Sequence, residues 1–272
     1  MAPSGDTEDM SYHDQLRVYE KLIPNLVQVS DSSGGVNTTT VGIEGTKIFT
    51  RLVLSAMTIN AILPHNQINH SELWDFPSVG ILARSLIETV HRYLYLIDPG
   101  ISQEEGEFRR KLHFYRINSE KYRLYSVKGD LEILKEFEEK LPKDKAEIMR
   151  SPVYLSLDKK TAKNIRSGNS DMHLSDAEVA KTNNLISDHF EFYYRLLSNQ
   201  SHGSPMATTS QSNSRSRGFD NDAERSYLTL VLRLLNRYLS KSLLSQVELL
   251  SLQEKCRESV DQASSIFLNS EI

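Results

Sequence analysis

The sequence predicts an all-α fold, a multi-helix bundle, on three observations. Apolar residues recur at spacings of three and four along most of the chain. Capping signals precede several of these runs: Ser102-Gln103-Glu104-Glu105, Ser175-Asp176-Ala177-Glu178 and Asn221-Asp222-Ala223-Glu224. No alternating β-branched stretch bounded by hairpin turns occurs, and no fixed-period repeat. Roughly seven to nine helices follow. Residues 1–10 read as a disordered tail and 11–272 as a single helical domain, with a core over about 43–250 and a mobile loop over about 203–220.

Tyr12 to Leu22 reads as a first helix bounded by Pro24, with Leu16, Tyr19 and Leu22 facing inward and room for some helix to resume after the proline. Asp31 to Gly42 is rich in Gly, Ser and Thr and reads as a loop. Ile43 to Leu63 is apolar nearly all round, which predicts a central helix ending at Pro64. A loop holding His65, His70 and Trp74 leads to a helix from Pro77-Ser78 to Ile97, closed by Asp98-Pro99-Gly100. The helix opened at Ser102 breaks at Gly129, and Leu131 to Leu141 is a short amphipathic helix. Pro142 to Ser170 reads as basic and irregular, punctuated by Pro152 and Gly168, with shorter helices and loops expected there. One helix is predicted from the cap at Ser175 to Gly203 and Pro205. A last long helix starts at the Asn221 cap, with a break near Ser251.

Hydrophobic residues make up 39% of the 272, enough for a sizeable core. A net charge of −4 gives no global cationic field to attract nucleic acid or a membrane surface. The single Cys256 excludes an intramolecular disulfide and any multi-cysteine zinc site, and suits a reducing cytoplasm. Met1 to Met10 has no basic stretch leading into an apolar run, as a signal peptide would. Lys47, Arg51 and Asn60 interrupt the most apolar helix too often for a membrane span.

Two predicted helices carry matching polar stripes: Arg84, Glu88, His91 and Tyr95 on the earlier, and Asp188, Glu191, Arg195, Ser198 and His202 on the later. Opposite the later stripe run Val179, Ile186, Phe190, Tyr193 and Leu197. Arg195 and His202 differ by only about 20° around an ideal helix, so both side chains can reach one anionic group. An Arg supplies a permanent charged fork for phosphate, and a His donates or accepts a proton near neutral pH. This is the equipment of metal-free phosphodiester cleavage. The bland reading is equally direct: Glu191 precedes Arg195 by four residues, the favoured order for a surface ion pair, and His202 caps the helix end. Ser198 and His202 lack the elbow and third member of a serine hydrolase. Glu88-Thr89-Val90-His91 has the spacing of half a di-iron site but occurs once, so neither metal nor cofactor is expected. Lys159, Lys160, Lys163 and Arg166, with Arg215 and Arg217, form a local basic surface suited to RNA.

Arg84-Ser85-Leu86-Ile87-Glu88, followed by Tyr194-x-x-x-Ser198-x-x-x-His202-x-Ser204, resembles an uncharacterised family of bacterial all-helical proteins with an early Arg-x-x-x-Glu and a late Ser-x-x-x-His. That family is similar to the HEPN superfamily, and the likeness spans roughly Ile43 to Pro205. It implies a HEPN-like core with additional helices, in a protein of a bacterial defence or toxin system. It also implies metal-independent RNA cleavage by an Arg and a His on helices that meet across a homodimer. By position, Arg195 and His202 are then catalytic, with Arg84, Glu88 and Ser198 supporting. Leu196 departs from the polar residue common after that Arg. The rival expectation is a non-catalytic helical interaction module, self-associating through its C-terminal helix, in which these polar residues only hold helices together.

Overall fold

The computed structural model describes residues 10–65, 73–185, 190–201, 205 and 218–270. The described residues form eleven helices and no strand, so the chain is an all-α multi-helix bundle. The tail at 1–9 and most of the loop expected over 203–220 lie outside the described residues. The chain divides into two compact units, residues 1–90 with 184–272, and residues 91–183.

In the first unit, helix α1 (Tyr12–Ser33) starts at a capping box between Ser11 and Asp14. It does not stop at Pro24. The proline is exposed, while Leu22, Leu26 and Val29 on the opposite side are fully buried. Proline inside a helix costs about 3 kcal/mol. Burying two aliphatic side chains beyond it returns roughly 1.5–3 kcal/mol each, so the helix continues.

Helix α2 (Thr40–Ile62) buries one stripe, Phe49, Leu52, Val53, Ala56 and Ile59. Leu54, Met57 and Ile62 are 51%, 45% and 41% exposed, so this helix is not the central one that its composition predicts. The centre is α10 (Asp222–Leu249), where Leu228, Val231, Leu232, Leu235, Leu239 and Leu243 are fully buried. Polar contacts fix its register. Asn236 Nδ2 donates to the carbonyl and the side-chain oxygen of Gln15 on α1, at 3.1 and 3.0 Å. Gln246 Nε2 donates to Ser33 Oγ and Thr46 Oγ1, both at 3.0 Å. Asn221 caps α10 as expected, but the buried Glu224 reaches away to accept the backbone N–H of Phe76. Phe76 opens α3 (Phe76–Ile97), whose residues from His91 onward belong to the second unit. The break near Ser251 is present: Ser251 has φ +54°, and α11 (Arg257–Asn269) follows.

The second unit contains α4 (Gln103–Lys128), α5 (Leu131–Arg150), α6 (Pro152–Leu155), α7 (Lys159–Arg166) and α8 (Asp176–Thr182). Its core is Phe108, Leu112, Tyr115, Ile148, Tyr154 and Ile165. Gly129 ends α4 in the left-handed conformation, φ +77°, as its position predicts. The segment from Pro142, expected to hold shorter helices and loops, does hold the short α6 and α7, but its first part continues α5. Helix α5 passes through Pro142 because Ile148, 1% exposed, sits beyond it in the core, and Ile165 anchors α7 in the same cluster. Gly168 closes α7 with φ +67°, and any side chain there would strike Ser119 Oγ at 2.5 Å. Its carbonyl accepts from Arg116 and Arg123.

Candidate functional site

The predicted helix from Ser175 to Gly203 is two helices. The capping box is real, with Ser175 Oγ accepting the N–H of Glu178 and the Glu178 carboxylate accepting from Ser175. But α8 ends at Thr182: Asn183 Nδ2 donates to the Val179 carbonyl, and Asn184 adopts φ +55°. Asparagine tolerates this left-handed conformation, so two consecutive Asn residues stop the helix where no glycine marks the end. The chain resumes in α9 (Phe190–Ser201). Val179 is therefore in a different unit from Phe190, Tyr193 and Leu197, while Ile186 and Asp188 lie outside the described residues.

Arg195 lies on the solvent side of α9, its side chain 75% exposed. Its Nη2 and Nε donate to Glu191 Oε1 at 2.9 and 3.2 Å, a surface i,i+4 pair worth about 0.3–0.5 kcal/mol. Ser198 is half-buried, and its carbonyl accepts from Ser201 Oγ. His202 lies outside the described residues.

On α3 the polar stripe splits. His91 is fully buried in the second unit, its Nδ1 3.2 Å from Asp176 Oδ1 at the start of α8. Arg84 is buried in the first unit, 6% exposed, with Nη2 2.7 Å from Glu88 Oε1. Its guanidinium carbon lies 3.7 Å from the centre of the Tyr194 ring on α9. Arg84 thus meets α9 through an aromatic face. Its Nε and Nη1 are shielded from solvent, and among the described residues neither has a hydrogen-bond acceptor. A buried donor left in that condition costs about 1–3 kcal/mol.

The helices meet closely here because of Gly80: a Cβ at that position would be 3.3 Å from Gln200 Cγ and 3.6 Å from a Leu197 methyl. Gly80, Arg84, Ile87 and His91 recur at helical spacing, and all four are buried. They form a second packing stripe, with the polar groups of Arg84 and His91 buried in it. Its signal was the small and apolar company that Gly80 and Ile87 provide. Arg84, Ile87, Tyr193, Tyr194, Leu234 and Tyr238 are among the walls of a pocket in this unit. Its cavity volume is only about 20 Å³, room for about one water.

A second polar cluster, absent from the sequence reading, lies in the other unit. Tyr95 Oη is 2.7 Å from His173 Nδ1, and His173 Nε2 is 3.6 Å from Glu105 Oε1. Arg109 donates to Glu105 through Nε and Nη2 at 2.9 and 2.5 Å, and through Nη1 to the Tyr95 carbonyl at 2.7 Å and Asp98 Oδ2 at 3.4 Å. Burial, and then the nearby Arg109 charge, hold the His173 imidazole below its usual pKa. Burial pushes the Tyr95 hydroxyl up. Glu105 and Arg109 were legible as an i,i+4 pair, but no local pattern marks His173 as their partner.

Among the described residues no group of three His, Cys, Asp or Glu side chains is placed to hold a metal ion, and no helix is long and apolar enough to cross a membrane. The four cations of α7, Lys159, Lys160, Lys163 and Arg166, are exposed and make no ion pair among the described residues. Arg215 and Arg217 lie outside them. No protein-family model matches the chain, and neither a curated protein nor a solved structure matches it.

Proposed function

We propose that this chain is a non-catalytic helical interaction module in which the polar residues of α3 and α9 form no catalytic pair. One observation carries the reading: Arg195 is spent on Glu191 at the surface, while Arg84 is turned inward onto the Tyr194 ring. An exposed Arg tied to a neighbour on its own helix has no preorganised geometry for a developing phosphorane charge. The second reading, RNA binding or cleavage by a HEPN-like protein with Arg195 and His202 as its catalytic pair, is favoured by the unpaired cations of α7.

Incubating the full chain with labelled single-stranded RNA, without added metal, separates the two. The module reading expects no cleavage, and any retention of RNA to be lost in Lys160→Ala/Lys163→Ala rather than in Arg195→Ala. Cleavage that disappears in both Arg195→Ala and His202→Ala, with the helical content unchanged, overturns it. Sedimentation of the same samples reports whether the chain is the expected homodimer.

A further inference from the structure

Helix α2 carries an apolar face that the described residues of the chain leave uncovered. We propose that a second copy of the chain covers it, with the two α2 helices antiparallel about a two-fold axis at Leu54. The inference goes beyond the reading above and does not depend on it, because cleavage of RNA would leave this face as it is.

The face is apolar through more than its aliphatic residues. Ile43, Leu54, Met57 and Ile62 are exposed on this one helix, and Ala61 is exposed with them. Thr50 and Thr58 complete the surface. Their hydroxyls donate to the carbonyls of Thr46 and Leu54 at 3.0 and 2.9 Å, so these donors are satisfied inside the helix. Single exposed aliphatic side chains are ordinary, but a row of them along one helix marks a surface that meets another molecule. The C-terminal helix α11, where self-association was expected, exposes only Leu268 among its large hydrophobic side chains.

Symmetry and charge then select the occupant. Exposed residues lie three, four and seven places to either side of Leu54: Arg51 and Met57, Thr50 and Thr58, Lys47 and Ala61. In an antiparallel pair each meets its counterpart on the other copy. Leu54 packs on Leu54, Thr50 on Thr58, and the alkyl stems of Arg51 and Lys47 on Met57 and Ala61. Lys47 and Arg51 are the only cations of α2, its one acid, Glu44, accepts from Lys47 at 2.7 Å, and its last turn holds no basic residue. The negative end of the helix dipole therefore has no cation of its own, and the antiparallel copy supplies one. Parallel pairing would set cation against cation. An anionic membrane would favour cations along the whole face, and residues 52–63 carry none.

The test is sedimentation of the full chain over a range of about 1 to 100 µM, where a single helix pair, smaller than a standard interface, should give a reversible dimer. Leu54→Glu meets its own copy at the axis and should raise the dissociation constant about tenfold or more, as should Leu54→Lys. An equimolar mixture of these two variants should dimerise again. With a mild oxidant Leu54→Cys should form a covalent dimer and Met57→Cys should not, because the two copies of position 57 lie roughly 9 Å apart along the helix, beyond disulfide reach. The native Cys256 is fully buried and takes no part. A chain that stays monomeric at the highest concentration, a dimer that survives both charged substitutions, or a mixture that does not dimerise would overturn the proposal. So would a monomer whose Leu54 is needed to bind phosphatidylserine vesicles, which would assign the face to a membrane. The cysteine pair keeps the proposal testable even if a charged variant fails to fold.

Discussion

Two buried arginines, one in each unit, make the same kind of aromatic contact and differ in everything else. Arg109 lies over the Tyr95 ring at 4.3 Å, and all three of its nitrogens donate, to Glu105, to Asp98 and to the Tyr95 carbonyl. Arg84 lies over the Tyr194 ring at 3.7 Å, with one nitrogen engaged by Glu88 and two without acceptors among the described residues. Burial and ring stacking alone therefore say little about a residue's task. What separates the two cations is whether their donors are all used among the described residues.

The largest effect that would sharpen this contrast lies at Arg109. Arg109→Met strips Glu105 and Asp98 of their common partner and removes the bond to the Tyr95 carbonyl, and should cost about 3 kcal/mol in urea unfolding. A loss below about 1 kcal/mol would mean that the network contributes little. Next comes a polar contact inside the first unit. Asn236→Ala leaves Gln15 facing α10 without its donor and should cost about 2 kcal/mol.

His173 gives a smaller, pH-dependent effect. Its pKa is lowered in the folded chain, so the unfolded chain binds a proton more readily. Stability is then complete above the ordinary value of 6.5 and falls as pH drops below it. His173→Gln should flatten that fall when unfolding is followed between neutral and mildly acidic pH. An unchanged slope would show that other groups set the acid sensitivity.

The helices were legible where the signals are local. The capping box at Ser175, the caps at Ser102 and Asn221, the Gly129 stop and the break near Ser251 all act through a few adjacent residues, whereas the capping box at Ser11 went unread. Pro24 and Pro142 were misread as boundaries because the cost of a proline is local, while the apolar burial that outweighs it lies at Leu26, Val29 and Ile148. The stop at Asn184 was missed for the opposite reason, since it is made without glycine or proline. Arg84 and Glu88 were singled out as a polar pair, and that pair exists. Its surroundings were not legible, because Tyr194, Leu234 and Tyr238 come from distant parts of the chain. The HEPN likeness rests on residues of which two, His202 and Ser204, lie outside the described residues.

The most direct test of the contrast sets Arg84→Met beside Arg109→Met in the same urea titration of the ligand-free chain. Methionine keeps the length of the side chain and discards the charge. At Arg84 it also removes donors that have no acceptor, so the account predicts a change within about 1 kcal/mol, well short of the loss at Arg109. Equal losses at the two positions would contradict it, and would make Arg84 as fully employed in holding the fold as Arg109.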